Sequence, residues 1–309
     1  MEKSIQLLKI INRDGYITQR KIAQLANISL GSVNGKIKQL IDENLLIREM
    51  KNNENKYGIT SKGKKILDNH YIKTAVILAA GLGSRLHPVT KDEKPKGFIE
   101  VEGRSLIERS IENLLKNYID RIIIVTGHLS NFYDDLKSKY SCIETVKNEQ
   151  YAITGSMASL SKAYDLIHEE KFLLLESDLI YENKAIEVLQ DSIQKDCVLL
   201  SGKTNSGDEV YVEVRENSIY KLSKDKHSLN NIYGELVGIC KISHKLLDHM
   251  MKQYNNNTNS EYHYEYAIED TTKNYKVGYK KIENLVWGEI DDARHLQRVE
   301  RYIIPNLKI

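Results

Sequence analysis

Residues 77–97, ILAAGLGSRLHPVTKDEKPKG, constrain this chain more than any other stretch. An apolar run over 74–78 enters a turn of alanine and glycine, Arg85 closes the turn, and Pro95-Lys96 follows. Gly81 and Gly83 let the backbone approach a ligand and present its N–H groups as an anion cradle. Arg85 and Lys96 add two positive charges beside that cradle. The arrangement suits a nucleoside triphosphate whose outer two phosphates depart together as pyrophosphate. A glycine-rich loop alone is often a plain tight turn. A strand followed by AAGLGSR and then PK is a much more specific pattern for nucleotide binding.

The chain beyond residue 72 alternates between strand and helix patterns. Strands are predicted at 74–78, 121–126, 143–146, 171–175, 197–201, 209–214, 236–242 and 278–282, with helices at 104–117, 156–167 and 183–193. That order implies a mostly parallel sheet covered on both faces, with ligands gathered outside the carboxyl ends of its strands. Residues 171–175 read as a buried strand, and Glu176-Ser177-Asp178 fall where it ends. Carboxylates there are badly placed for stability and well placed for a metal. In Glu289-Ile290-Asp291-Asp292, an extended chain puts Glu289 and Asp291 on one face and turns Ile290 inward. Capping of the helical stretch 293–303 is the bland alternative, and it suits Asp292 best. Thr154-Gly155-Ser156 is a polar turn able to offer hydroxyls and backbone groups to a base or ribose. Ser156 is also placed to cap the helix carrying Met157, Leu160 and Ala163.

Leu78 to Arg85, with Pro95-Lys96, resembles the signature of the nucleotidyltransferases that make nucleotide-activated sugars and alcohols. Gly97-Phe98, ESDLIYE (176–182), SGDEVYVEV (206–214), NIYGELVGI (231–239) and WGEIDD (287–292) narrow the likeness to the 2-aminoethylphosphonate cytidylyltransferases, close relatives of the phosphocholine cytidylyltransferases. The likeness covers 72–309 nearly end to end and leaves the first seventy residues outside. It implies a Rossmann-like three-layer α/β nucleotidyltransferase domain with a mostly parallel mixed sheet. It also implies that Leu78, Ala79, Ala80, Gly81, Gly83, Ser84, Arg85, Lys96, Thr154, Gly155 and Ser156 bind the nucleotide. Arg85 and Lys96 are then the catalytic charges, and Asp178 and Asp291 hold Mg²⁺, a metal satisfied by one or two protein carboxylates plus phosphate and water.

On this reading the acceptor oxygen attacks the α-phosphorus of CTP in line, and pyrophosphate leaves. A phosphate monoester has a second pKa of about 6 and is largely dianionic near neutral pH, so it needs no general base. It needs positive charge against the triphosphate, and alignment. The nine histidines are scattered, with no Ser/His/Asp arrangement, and His128 near a strand end reads as structural. An ammonium head on the acceptor calls for carboxylates, whereas a quaternary one depends on an aromatic cage. Asp208, Glu209 and Tyr211 form one candidate wall, and Tyr264 with Glu265 another. Carboxylates are plentiful and Trp287 is the single tryptophan, which favours a primary amine. The resemblance agrees and puts 2-aminoethylphosphonate first, giving CMP-2-aminoethylphosphonate for decoration of glycans or lipids. Phosphocholine, giving CDP-choline, stands second, and a phosphorylated amino acid or a sugar 1-phosphate third.

Residues 1–70 read as a separate winged helix-turn-helix domain, with the enzyme-like domain at 72–309. Apolar positions recur at helical spacing over 3–13. Thr18 is placed to cap a second helix with Ile22, Ala23 and Leu25, and Ser29 a third with the stripe Val33, Ile37, Leu40 and Ile41. Two short strands flank the polar hairpin 52–55, and Gly63 and Leu67 belong to a closing helix. In the resembling bacterial regulators the third helix enters the major groove, which would turn Ser32, Asn34, Lys36 and Lys38 to DNA, with Lys51 and Lys56 near the wing. The alternative is a winged helix kept for dimerisation or docking, and a homodimer is expected. Charge supports separate partners: residues 1–70 carry 13 Lys/Arg against 7 Asp/Glu, a net of +6, and the rest carries 32 against 36, a net of −4. A regulator sensing CTP without turnover is the competing reading, and the paired metal carboxylates argue against it. No apolar run reaches the roughly 18–20 residues that cross a bilayer. Three well-separated cysteines show neither metal-ligand spacing nor a disulfide framework, so a cytoplasmic protein with buried thiols and no membrane partner is expected.

Overall fold

The computed structural model describes residues 2–307. Met1, which opens the expected 1–70 domain, and Lys308 and Ile309, which close 72–309, lie outside the described residues. The chain divides into two compact units. One comprises the residues up to Tyr71 together with Asp191–Ile193, and the other Ile72–Gln190 with the residues from Gln194 onward.

The smaller unit is a winged helix: helices Glu2–Asp14, Gln19–Ala26 and Leu30–Asp42, an antiparallel pair Leu46–Lys51 and Glu54–Ile59, and helix Ser61–Asp68. Thr18 and Ser29 cap the second and third helices, their hydroxyls accepting from the N–H groups of Lys21 and Ser32. Each such cap is worth about 1 kcal/mol. Val33, Ile37 and Leu40 pack on Leu7, Leu8, Ile11 and Leu46, whereas Ile41 is only half-buried and Leu25 is exposed. The hairpin is tighter than the polar stretch 52–55 predicts. Asn52 and Asn53 alone make the turn, both at positive φ (55° and 61°), as a two-residue hairpin matching strand twist requires.

The larger unit is built on a nine-stranded mixed sheet. Ile143–Lys147, Arg121–Thr126, Thr74–Ala79 and Lys171–Glu176 lie side by side in parallel. Gly234–Ser243, buried along its whole length, continues the sheet antiparallel to Lys171–Glu176. Beyond it come Tyr211–Arg215 and Ser218–Ser223 on one branch, and Cys197–Ser201 with Gly278–Ile282 on the other. Strand alternation sorts the core into two layers. Ala75, Ile77, Ile122, Ile124, Leu173 and Leu175 face helices Leu106–Lys116, Asn131–Lys139 and Lys184–Asp191. Val76, Leu78, Ile123, Val125, Phe172 and Leu174 face helices Ser156–Lys162, His244–Asn255 and Tyr264–Thr272. Three layers result, as expected, and the parallel strands point their carboxyl ends to one edge.

Some elements differ from expectation. Arg104–Ser105 pairs with Glu100–Val101, so the helix predicted from 104 begins at Leu106, with Ser105 as its cap. The helix predicted over 156–167 stops at Lys162 and gives way to a 3₁₀ turn, Tyr164–Leu166. Trp287–Glu289 forms a short antiparallel pair with Leu179–Tyr181, a pairing absent from the sequence patterns. Cys197 and Cys240 are buried, and Cys142 half-buried, all as free thiols. Among the described residues no helix is long and apolar enough to cross a membrane.

Candidate active site

A cleft of about 550 Å³ opens where the parallel strands end. Thr74–Ala79 delivers one wall, the turn Ala80 to Arg85. Gly83 sits at φ +66°, a left-handed conformation glycine adopts without strain. Leu86, fully buried, anchors the turn from below while the Arg85 side chain stays more than half exposed. Lys171–Glu176 delivers the opposite wall, Glu176 to Asp178. The short pair Leu179–Tyr181 with Trp287–Glu289 then carries Asp291 alongside, and the Ile290 N–H donates to the Asp178 carbonyl at 3.1 Å.

Five predicted residues meet here: Arg85, Lys96, Asp178, Asp208 and Asp291. The Lys96 ammonium contacts Asp178 Oδ2, lies 2.6 Å from Asp291 Oδ1, and is 3.9 Å from Glu289 Oε1. Arg85 Nη2 donates to Asp291 Oδ1 at 2.8 Å, and Nη1 to Asp208 Oδ2 at 2.9 Å. Lys224 reaches the other Asp208 oxygen at 2.8 Å. Burial opposes charge on Lys96, but Asp178, Asp291 and Glu289 outweigh it and hold its pKa far above the ordinary value. Burial likewise opposes charge on Asp291, and Lys96 and Arg85 hold it below the usual carboxylate range. Burial, then Asp178 and Glu265, push Glu176 up to about 8, while the Tyr264 hydroxyl donates to its Oε1 at 2.6 Å. Burial and Asp178 raise Glu289 as well.

The donor set fits a hard divalent cation. Asp178 Oδ1 and Asp291 Oδ2 are buried without a hydrogen-bond partner, a costly state for carboxylate oxygens unless a cation faces them. Glu176, Asp178 and Glu289 can each bring an oxygen within 4.8 Å of the others. Asp291 stands outside that trio, its Oδ1 taken by Lys96 and Arg85. Oxygen-only ligands suit magnesium.

The polar turn 154–156 lines the same cleft. Asn148, fully buried, organises it by donating to Thr154 Oγ1 (3.0 Å) and Ser159 Oγ (3.1 Å). The Thr154 hydroxyl donates to the Gln150 carbonyl at 2.8 Å, so its proton is spent inside the loop. Gly155, rather than Ser156, occupies the cap position of the helix. Ser156 Oγ instead accepts from the Tyr264 N–H at 3.0 Å and lies 3.2 Å from His263 Nδ1.

The two candidate acceptor walls are only partly assembled. Asp208, Glu209 and Glu265 line a smaller recess of about 70 Å³ with Glu176, Glu289 and Trp287. Tyr211 is not in that lining, and its hydroxyl donates to Glu209 Oε2 at 3.2 Å. Tyr264 is buried behind Glu176. The sequence reading names Asp178 and Asp291 as the metal ligands and assigns no role to Glu176, Glu289, Lys224 or His263. Glu176 and Glu289 are visible as neighbours of the aspartates in ESD and GEIDD, whereas Lys224 and His263 carry no local signal. In the smaller unit Ser32, Asn34 and Lys38 are exposed on the third helix and Lys36 is half-buried. Lys51 is engaged with Glu49 (3.1 Å) and the Tyr16 ring (3.6 Å).

Residues 74–210 match the family model described as nucleotidyl transferase, and residues 2–47 match one described as winged helix-turn-helix DNA-binding. The inositol-1-phosphate CTP transferase of T. maritima superposes with a TM-score of 0.64 at 19% identity, covering 75% of this chain and 98% of that one. The larger unit has a nucleotidyltransferase fold. The chain is 33% identical over 112 residues to the 2-aminoethylphosphonate cytidylyltransferase of Lancefieldella rimae, covering 36% of this chain and 45% of that one. It therefore spans about half the length of that relative. It is also 27% identical over 237 residues to the choline-phosphate cytidylyltransferase of Streptococcus pneumoniae, covering 74% of this chain and 97% of that one.

Proposed function

We propose that the larger unit transfers CMP from CTP to a small phosphonate or phosphate monoester, with 2-aminoethylphosphonate as the first candidate acceptor and pyrophosphate as the other product. The observation that carries this reading is the convergence of Arg85 and Lys96 on Asp291 and Asp178 beside the glycine turn. Likeness to the two cytidylyltransferases supports CTP as donor. The acceptor oxygen, already anionic, bonds to the α-phosphorus as the bond to the pyrophosphate oxygen breaks, and no proton has to be removed. Arg85 and Lys96 draw charge from the triphosphate, which requires Lys96 to exchange carboxylate partners for phosphate. Magnesium held by Asp178 and Asp291 supplies, when bound, further positive charge against the phosphoryl oxygens.

The carboxylate-lined recess beside the cleft supports an ammonium head on the acceptor. A primary ammonium satisfies those oxygens by direct hydrogen bonds. Trp287 in the same lining favours phosphocholine as the second reading, through a cation–π contact. Pyrophosphate release from CTP and Mg²⁺ with 2-aminoethylphosphonate, phosphocholine and phosphoethanolamine in parallel separates them. Fast release with the phosphonate alone is expected, and release with phosphocholine alone overturns the acceptor assignment.

For the smaller unit the proposal is DNA binding through the exposed third-helix residues Ser32, Asn34 and Lys38, with Lys36. Affinity for duplex DNA should then fall steeply between 50 and 200 mM salt, as counterion release requires. Absence of salt-dependent affinity would leave a docking role.

A further inference from the structure

We propose that His263 reads the nucleoside of the bound nucleotide, its Nε2–H serving as a preset donor to a nucleoside oxygen. The inference rests on the nucleotide-binding reading of the cleft. His263 precedes helix Tyr264–Thr272 and lines the cleft together with Thr154, Gly155 and Ser156. The Ser156 backbone N–H donates to His263 Nδ1 at 3.3 Å. An amide N–H can only donate, so Nδ1 is an acceptor and the neutral ring carries its proton on Nε2. The Ser156 hydroxyl agrees: its oxygen accepts the Tyr264 N–H at 3.0 Å, which leaves its proton for Nδ1 at 3.2 Å. Nε2–H, by contrast, has no hydrogen-bond partner among the described residues.

The surrounding backbone fixes the ring in place. Gly155 N–H donates to the Ser260 carbonyl (2.9 Å) and Met157 N–H to the Tyr262 carbonyl (3.2 Å), zipping the segments before the two helices together. Tyr266, also in the lining, packs edge-on to the imidazole at 5.5 Å. A donor held this way needs no reorganisation when ligand arrives. Of the cationic groups in the lining, Arg85 and Lys96 stand beside the glycine turn, and Lys224 is tied to Asp208 at 2.8 Å. A neutral imidazole beside the 154–156 turn suits an uncharged oxygen, a pyrimidine carbonyl or a ribose hydroxyl.

Asparagine places its amide near the Nδ1 position and glutamine near the Nε2 position, which separates the two roles of the ring. His263→Asn keeps the tie to Ser156 and removes the donor, and His263→Gln keeps the donor and loses the tie. CTP affinity, read by calorimetry on the full chain, should weaken about tenfold in the asparagine variant, the worth of one hydrogen bond. Its melting temperature should be unchanged, and the glutamine variant should bind within about threefold of wild type. With 2′-deoxy-CTP, disappearance of the asparagine effect assigns the 2′-hydroxyl, and persistence assigns another nucleoside oxygen. Wild-type affinity in the asparagine variant overturns the inference. So does equal weakening of both variants with earlier melting, which makes the histidine structural. Should the wild type bind another nucleoside triphosphate in place of CTP, the cytidylyl reading fails, and the same comparison made with that nucleotide still decides the role of His263.

Discussion

Lys96→Met should lower turnover about a thousandfold and cost the fold about 3 kcal/mol. Methionine keeps most of the aliphatic stem, so packing changes little. What is lost is the cation between Asp178 and Asp291, whose side chains are only 9% and 4% exposed. Removing one partner of a buried ionic cluster strands the others in a low dielectric, which is why the cost exceeds that of a surface pair. Arg85 still reaches Asp291 at 2.8 Å but is not among the groups within ion-pair distance of Asp178. The turnover loss is separate and larger, because the same ammonium is needed where charge builds on the triphosphate. Denaturant midpoints and steady-state rates measure the two effects. Wild-type turnover in a folded variant would remove Lys96 from the chemistry, and an unchanged midpoint would contradict the buried cluster.

Gly155→Ala should cost about 2–3 kcal/mol and weaken CTP binding at least tenfold. The reason is space alone, since the backbone at Gly155 (φ −77°) is open to any residue. A Cβ there would stand 2.5 Å from the Tyr262 carbonyl oxygen and 2.7 Å from its carbon. Those are backbone atoms with no rotamer to yield, so the two segments must part. Parting breaks the Gly155–Ser260 and Met157–Tyr262 hydrogen bonds and carries Ser156 away from His263. Thermal melting and calorimetric titration check both parts. A variant that melts and binds as wild type would show that this junction is not held as described.

Much of the larger unit was legible because its information is local. Continuous apolar runs such as FLLL at 172–175 mark buried parallel strands, and the end of such a run marks the ligand edge. By that logic Asp178, two residues past the strand end at Glu176, falls at that edge. The N-caps of the winged helix, Thr18 and Ser29, were legible for the same reason. Long-range pairings were not. The strands Leu179–Tyr181 and Trp287–Glu289 are three residues each and lie more than a hundred residues apart, too short for any periodicity. Ser156 reads as a helix cap by composition, but the backbone of Tyr262 crowds Gly155 into that place and leaves the serine hydroxyl to the helix at Tyr264. Tyr264 reads as a ligand-facing aromatic, yet its ring is buried and only its hydroxyl reaches the site, through Glu176. His263 had no signal in its own neighbourhood, because its partner Ser156 lies 107 residues earlier.

The most direct test of the central claim is a phosphorus NMR spectrum of the full chain incubated with CTP, Mg²⁺ and 2-aminoethylphosphonate. The proposed reaction predicts a new pair of mutually coupled resonances, one phosphonate and one phosphate, from the P–O–P anhydride of the product, growing in step with free pyrophosphate, and none of these signals with Asp178→Ala. An unchanged spectrum from a wild-type protein that binds CTP would contradict it and leave a nucleotide-binding unit without transfer activity.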